Sequence, residues 1–257
     1  MIDGEVRSRR RRVALAVVGL VLTAAVVLVA ARETALAPSG PPAADVPAAT
    51  PADLTAERCA GVTRLTTARR DDTVPVSTGG PTAVVLGDSL AEGSTLPDPK
   101  AEAFPAAVGR AWGTTTWVDA IDGTGFVNPG YCGNQTYADR VGAVLARAPR
   151  LVVVEGGLND RLRPPAEVGA AITDLLGRLR GVPAVVVIGP VVPPVASPDD
   201  VARLDGVLRA ATAAAERTYV PALDWRIPWG PDGAHPTVEG HRRYAELLLT
   251  ALPEAPR

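Results

Sequence analysis

Short apolar runs alternate with longer segments of helical periodicity from Pro81 to the end of the chain. The runs at 151–154 and 184–188 are continuously apolar, as expected for parallel strands that are covered on both faces. The alternation predicts a three-layer α/β/α domain around a mainly parallel, five-stranded sheet. The predicted strands are Thr82–Leu86, Thr115–Ala120, Leu151–Glu155, Ala184–Ile188 and a short one near Val220–Leu223, and the predicted helices cover approximately Ala101–Ala111, Tyr137–Ala148, Pro165–Arg180, Pro198–Arg217 and Val238–Leu252.

A much longer apolar run, Val13–Ala31, lies near the N-terminus and contains 19 residues without a charge. As a helix it would extend for roughly 28 Å, close to the bilayer core of about 30 Å. The five arginines within residues 1–12 are typical of the cytoplasmic side of such a helix. The run is either an uncleaved transmembrane anchor or a secretory signal cleaved after Ala37. Its length favours the anchor, because signal sequences have apolar runs of roughly 7–15 residues, and both alternatives export the remainder.

The chain is therefore predicted to contain four regions. A basic cytoplasmic N-terminus (1–12) and a transmembrane helix or signal anchor (13–31) come first. An Ala/Pro-rich linker (32–58) follows, with the composition of an extended tether. The folded domain covers 59–257, with its core at 81–252.

The two cysteines, Cys59 and Cys132, form either one disulfide or two separate thiols. Export favours the disulfide, because disulfides persist in oxidising compartments. The bridge would close a loop of about 74 residues, for which chain entropy predicts a stabilisation on the order of 4 kcal/mol.

Charge and motif content exclude several other functions. The formal net charge is −2, and no basic patch follows the N-terminal arginines, so the sequence predicts no nucleic-acid partner. It contains no metal-ligand cluster and no phosphate-cradling loop. Gly123-Thr124-Gly125 lacks the third glycine and the adjoining helix of a dinucleotide site. We therefore expect an activity that uses neither a metal nor a cofactor.

Candidate chemistry is concentrated just after the predicted strands. Ser89 follows the first strand in Gly-Asp-Ser-Leu and precedes a helix-compatible segment, so it is either a nucleophile or the N-cap of that helix. Because parallel strands present their carboxyl ends at one edge of a sheet, the topology brings three more polar blocks close to it. These blocks are Gly123–Phe126, Gly156–Asp160 and Asp232–Pro236.

In their order and spacing, the four blocks resemble the SGNH hydrolases, also called GDSL-type esterases and lipases. The resemblance covers about Pro81 to Leu252 and implies the flavodoxin-like fold of that family. It also implies that Ser89 is the nucleophile, that His235 is its general base, and that Asp232 orients the His235 ring. The other histidine, His241, lies inside the last predicted helix and is interpreted as a surface or packing residue.

The resemblance also implies three donors to the oxyanion of the tetrahedral intermediate. They are the backbone N–H of Ser89, the backbone N–H of a glycine in the second block, and the side-chain amide of Asn159. Gly125 fits the family spacing better than Gly123, which stays the alternative. Asp88 and Asp160 are interpreted as residues that organise the backbone.

The loop 127–136 is predicted to line the substrate pocket, with Phe126 and Tyr131 as its apolar surfaces, and the loop 225–229 to form the opposite wall. The predicted function is that of an extracytoplasmic serine esterase, cleaving an ester, O-acetyl or lipid acyl group of a small molecule, lipid or acylated carbohydrate. Two alternatives stay open: acyl transfer to a sugar or lipid acceptor by the same residues, and a non-catalytic cell-surface binding module.

The N-terminal prediction can be tested by membrane fractionation. If residues 13–31 are an uncleaved anchor, alkaline carbonate should leave the full-length protein in the membrane pellet, and detergent should release it. Release by carbonate alone, with the N-terminal residues still present by mass spectrometry, would contradict the anchor.

Overall fold

The computed structural model describes residues 56–61, 63 and 74–256. The predicted basic N-terminus, the predicted transmembrane helix at 13–31 and most of the predicted linker therefore lie outside the described residues. In the described ranges, no helix is both long and apolar enough to cross a bilayer.

Five parallel strands form one sheet in the order β2-β1-β3-β4-β5. This confirms the predicted five-stranded sheet and places β1, which leads into the Gly-Asp-Ser-Leu block, next to its centre. A short antiparallel bridge between Ser77 and Thr116 adds to the outer edge of β2. The strands are β1 (Thr82–Gly87), β2 (Thr115–Ala120), β3 (Leu151–Val154), β4 (Ala184–Ile188) and β5 (Thr218–Val220).

Seven α-helices connect or follow the strands. They are α1 (Ser89–Glu92), α2 (Pro99–Glu102), α3 (Phe104–Trp112), α4 (Tyr137–Ala146), α5 (Pro165–Arg178), α6 (Pro198–Ala214) and α7 (Val238–Ala251), and Leu158–Asp160 form a 3₁₀ turn. The predicted helix Ala101–Ala111 is divided, because Ala103 is extended (ψ 149°) and Pro105 starts a new helix behind it. The fifth strand ends at Val220, where the sequence predicted it to begin.

The two faces of the sheet bury separate apolar cores. On one face, Val85 of β1 packs in the same cluster as Phe104 of α3 and Tyr244 of α7. On the other face, Val84 and Leu86 of β1 pack with residues of α4, α5 and α6. Because side chains alternate along β1, one strand anchors both cores. This is the predicted three-layer α/β/α arrangement.

A disulfide joins Cys59 to Cys132 across 73 positions of sequence, as the first of the two sequence alternatives predicted. Cys59 lies on a helical segment at 56–61, which spans the predicted boundary between linker and domain. On the same segment, the Arg58 guanidinium lies 5.7 Å from the centre of the Tyr131 ring. The disulfide thus ties the N-terminal approach of the domain to the loop that carries Tyr131.

Reduction of the disulfide should lower the melting temperature, because it restores the entropy of a long loop in the unfolded chain. A contribution of about 4 kcal/mol corresponds to a shift on the order of 10 °C for a domain of this size. The double variant Cys59→Ala/Cys132→Ala is the control, and it should melt near the reduced protein whether or not reductant is present. An unchanged melting temperature, with both thiols shown to be free, would contradict this role.

Candidate active site

The turn after β1 presents Ser89 at the start of α1. Asp88 is the N-cap of this helix, and its Oδ1 accepts a hydrogen bond from the Leu90 N–H at 3.1 Å. The cap belongs to Asp88 and not to Ser89, so the hydroxyl of Ser89 is not used as a cap. The backbone N–H of Ser89 has no acceptor among the described residues, as expected in a first helical turn.

Close packing explains why glycine precedes Asp88. A Cβ at Gly87 would lie 2.6 Å from the Cβ of Ala91 and 3.0 Å from Oε2 of Glu155. The chain can therefore turn from β1 into α1 here only without a side chain.

The second block is held by a carboxylate from the third. Asp160, which is 1% exposed, accepts the backbone N–H groups of Phe126 at 2.6 Å, Val127 at 3.3 Å and Asn128 at 2.7 Å. Burial raises the pKa of Asp160, and these three hydrogen bonds act in the opposite direction. A Cβ at Gly125 would lie 2.3 Å from Oδ2 of this carboxylate. Gly125 is thus the point of closest approach between the second block and Asp160.

The two glycines of the second block occupy different environments. The Gly125 N–H donates to the Asn128 carbonyl at 2.9 Å and is therefore already used. Gly123 lines the cavity that also contains Ser89, and its N–H has no acceptor within the described part of the chain. Its φ of +75° is in the region that favours glycine, and the Tyr131 ring lies beside it.

The amide of Asn159 lies between the first two blocks. Its Nδ2 donates to the Thr124 carbonyl at 2.8 Å and to Asp88 Oδ2 at 3.3 Å. Gly156 allows this approach, since a Cβ there would lie 2.5 Å from the same Asp88 oxygen. Asp88 and Asp160 therefore organise the backbone around the site, in agreement with the sequence interpretation.

Two buried carboxyl groups, those of Asp88 and Glu155, lie beside the turn that carries Ser89. Burial raises the pKa of Asp88 from 3.8 to about 6. Glu155, at the end of β3, is 4% exposed, and burial together with the negative charge of Asp88 holds its pKa well above the usual range. Oε2 of Glu155 is buried without a hydrogen-bond partner in the described structure. Glu155 therefore keeps its proton to a higher pH than an ordinary glutamic acid does.

The fourth block forms a compact turn immediately before α7. Asp232 Oδ1 accepts the backbone N–H groups of Ala234 and His235, both at 3.0 Å, and its Oδ2 lies 2.7 Å from Nδ1 of His235. The hydrogen bond with the His235 ring is the main reason that the pKa of Asp232 falls to about 2. An ionised Asp232 therefore accepts the Nδ1 proton and leaves the other ring nitrogen of His235 available as a base.

A cavity of about 220 Å³ contains both Ser89 and His235 on its lining, together with Gly123 and Asn159. Tyr131 and Arg161 also belong to the lining. A further set of mostly apolar lining residues consists of Pro190, Val191, Pro193, Val195, Ala196 and Trp229. A larger cavity of about 360 Å³ lies along β2 and is lined by none of the candidate residues.

Three sequence interpretations of the pocket can be compared with this geometry. Phe126 does not line the cavity: it is 4% exposed and packs in the core 4.8 Å from the Tyr137 ring, because Asp160 draws its backbone inward. Trp229, from the loop that was predicted to form the opposite wall, lines the cavity. His241 is a packing residue, whose Nδ1 accepts the Phe104 N–H and whose pKa burial lowers to about 4.

The sequence interpretation missed the wall formed by the loop after β4. This loop could have been predicted to line the site, because it follows the carboxyl end of a strand in the same way as the other site loops. It also missed Arg140 and Glu155. Both stand in segments that read as an ordinary helix and an ordinary strand end.

Comparison with known proteins gives a family match and a set of similar folds. The sequence profile of the GDSL-like lipase/acylhydrolase family matches residues 85–243. This range contains the four polar blocks and more than half of the chain. No curated relative matches the chain.

Three solved esterase structures resemble this fold. A psychrotrophic esterase from a Pseudoalteromonas species is 18% identical, with 67% of this chain and 97% of that chain covered at a TM-score of 0.54. A carbohydrate acetylesterase from Sinorhizobium meliloti is 18% identical over 67% and 98%, with a TM-score of 0.57. An acetylxylan esterase from Geobacillus stearothermophilus is 16% identical over 68% and 94%, with a TM-score of 0.54. At these identities the likeness concerns the fold alone.

The contact between Gly125 and Asp160 can be tested by a pair of alanine variants. Gly125→Ala should destabilise the protein by about 1–3 kcal/mol, because the new Cβ forces the carboxylate or the loop to move. Gly142→Ala is the matched control: this helical glycine has nothing within 4 Å of an added Cβ, so the change should stabilise by about 0.5–1 kcal/mol. Urea unfolding measures both, and equal effects of the two variants would contradict the account.

Proposed function

Because this chain belongs to the GDSL-like lipase/acylhydrolase family, whose members hydrolyse esters, we propose that Ser89, His235 and Asp232 are its catalytic triad. One observation carries the proposal. A serine at a strand–helix turn and a histidine bonded to an ionised aspartate line the same cavity.

In the proposed acylation step, Oγ of Ser89 attacks the carbonyl carbon of the ester, and Nε2 of His235 takes the hydroxyl proton. Asp232 stabilises the imidazolium through the Nδ1 bond. The tetrahedral intermediate then expels the alcohol, which receives its proton from His235. The acyl group stays on Ser89 as an ester.

The developing oxyanion needs donors that already point at its position. We assign the backbone N–H groups of Ser89 and Gly123, because both residues line the cavity and neither N–H has an acceptor among the described residues. Gly123 replaces Gly125 in this assignment, since the Gly125 N–H is bonded to Asn128. The third donor is Nδ2 of Asn159, whose 3.3 Å bond to Asp88 is the longer of its two and would be exchanged for the oxyanion.

Exposure of the triad favours hydrolysis over acyl transfer. The His235 side chain is 24% exposed and that of Asp232 is 43% exposed. Water can therefore reach the ring nitrogen that would activate it against the acyl-serine. In this second step, His235 takes a proton from water and returns it to Ser89 as the acid product leaves.

The cavity favours a short acyl group. Its volume of about 220 Å³ is below the range of about 300–1,000 Å³ that is usual for ligand pockets. Tyr131 and Arg161 in its lining suit a polar alcohol, such as a hydroxyl-rich carbohydrate. We therefore propose short-chain esters, acetyl esters among them, in preference to long-chain lipids.

The N-terminal sequence and the disulfide support a site of action outside the cytoplasm. An apolar run at 13–31 behind an arginine cluster favours export of the domain. A bridge between Cys59 and Cys132 suits an oxidising compartment. We propose a membrane-anchored domain that acts outside the cytoplasm, which the carbonate extraction described above tests.

Removal of the proposed nucleophile should abolish turnover. We expect Ser89→Ala to lower kcat for 4-nitrophenyl acetate by about 10⁴-fold or more without loss of melting temperature. Ser197→Ala is the control, because Ser197 is exposed and its side chain caps no helix N–H. In the wild-type protein, kcat/KM should fall as the acyl chain lengthens from acetyl to palmitoyl. Activity that survives in Ser89→Ala would contradict the assignment, and a preference for palmitoyl would contradict the short-chain proposal.

A further inference from the structure

Arg140 is a cation buried in α4. Its side chain is 6% exposed, and its one carboxylate partner among the described residues is Asp119, at 2.5 Å from Nη1. A buried charge is costly unless hydrogen bonds satisfy it. The neighbours of Arg140 in the helix, Tyr137 and Val141, are core residues, and a charge is not required among them. The presence of an arginine here must therefore be explained by the contacts of its guanidinium.

All five N–H groups of the guanidinium have acceptors. Nε donates to the Gln135 carbonyl at 3.1 Å, and Nη1 donates to the carbonyl of Asp119 at 2.7 Å and to its carboxylate. Nη2 donates to the Gly87 carbonyl at 2.9 Å and to Oγ1 of Thr124 at 3.1 Å. Arginine supplies five donors in a fixed, planar fork, which lysine cannot reproduce.

The two acceptors of Nη2 belong to different parts of the site. Gly87 ends β1 and is followed directly by Asp88 and Ser89. Thr124 lies next to Gly123, and its own carbonyl accepts the Asn159 amide. One nitrogen atom therefore fixes the distance between the nucleophile turn and the loop that carries the oxyanion donors.

The hydroxyl of Thr124 fits this link specifically. It donates its proton to the Ile121 carbonyl at 2.7 Å, which leaves its lone pairs for Nη2 of Arg140. Thr124 is fully buried, so water does not replace either bond. Valine would keep the shape of this side chain and lose both bonds.

We propose that Arg140 is a positioning residue, which holds the Ser89 turn and the Gly123–Thr124 loop in the relative geometry that acyl transfer to Ser89 requires. The proposal rests on the proposed function for its catalytic consequence. Arg140 touches neither the cavity nor the reacting atoms, and it acts through Gly87 and Thr124. Its loss should therefore affect the chemical step and leave substrate binding nearly unchanged.

The test compares Arg140→Lys with Arg203→Lys in the full-length protein. Arg203 is an exposed arginine of α6 that pairs with Asp200, so its replacement should change nothing. In Arg140→Lys, we expect kcat for 4-nitrophenyl acetate to fall about 10²-fold, the loss that a displacement near 1 Å can cause, and KM to change less than about threefold. A kcat within twofold of wild type would overturn the proposal, and so would a loss carried by KM alone.

A second variant decides the case in which Arg140→Lys does not fold. Thr124→Val keeps Arg140 and its ion pair, and it should lower kcat about tenfold with KM unchanged. Where both variants fold, Thr124→Val should have little further effect in the Arg140→Lys background, because the link is already broken. Equal and independent effects in the two backgrounds would overturn the proposal.

Hydrogen exchange tests this proposal independently of the esterase assignment, since the measurement does not require the protein to turn over a substrate. Peptides covering 85–92 and 120–128 should both lose protection in Arg140→Lys, while peptides from α6 keep theirs. If the wild-type protein cleaves no ester but this loss occurs, the esterase assignment is wrong and the link through Arg140 stands. If the protein is an esterase and protection is unchanged, the link is wrong.

Discussion

Carboxylates that accept backbone N–H groups hold the loops of the candidate site in place. Asp88 caps the turn at Ser89, Asp160 binds three consecutive N–H groups of the second block, and Asp232 binds two in the fourth. Glu92 adds a bond to the N–H of Asp122 at 3.1 Å. Loops at a sheet edge carry many backbone donors that secondary structure does not satisfy, and ionised acceptors form the stronger bonds to them. The cavity can therefore be small and well defined although its walls are loops.

These carboxylates differ in role: some stabilise the structure of the site, and one takes part in its proposed chemistry. Asp88 and Asp160 are buried and accept from the backbone, so their charges serve the fold of the site. The hydrogen bond with the His235 ring keeps Asp232 ionised, and the two oxygens of Asp232 are divided between the backbone and that ring. Arg140 is the complementary case, a buried donor that binds backbone carbonyls. The loops are thus held through their backbone N–H groups, which donate to the carboxylates, and through their carbonyl groups, which accept from Arg140.

Local sequence patterns predict most of the fold, because the strands and the helices each have a recognisable pattern of apolar residues. The bounds of β2 and β4 match the predicted ones, and α5 and α6 begin at Pro165 and Pro198, as predicted. The break between α2 and α3 was missed, although Pro105 inside the predicted helix was a sequence signal for it. The N-terminal helix at 13–31 stays a prediction, since it lies outside the described residues.

Sequence reasoning predicted which residues meet at this edge of the sheet better than it predicted the surroundings of those residues. Ser89 and His235 were found because chemistry-bearing residues stand at strand ends, and both line one cavity. Gly125 and Phe126 were predicted to contribute to the site because they belong to a conspicuous sequence block. Their environment is set by Asp160, 35 and 34 positions away, whose carboxylate fills the space beside Gly125. Contacts at such separations are fixed by packing, which no local spacing records.

The most direct test of the account is the site of covalent modification by a fluorophosphonate, which reacts with activated serines. Peptide mass spectrometry of the labelled, full-length protein should find one phosphonyl group, on Ser89. The His235→Ala variant should react far more slowly, because Ser89 then lacks its base. Labelling of another residue, or equal labelling rates in the wild-type protein and in His235→Ala, would contradict the proposed catalytic triad.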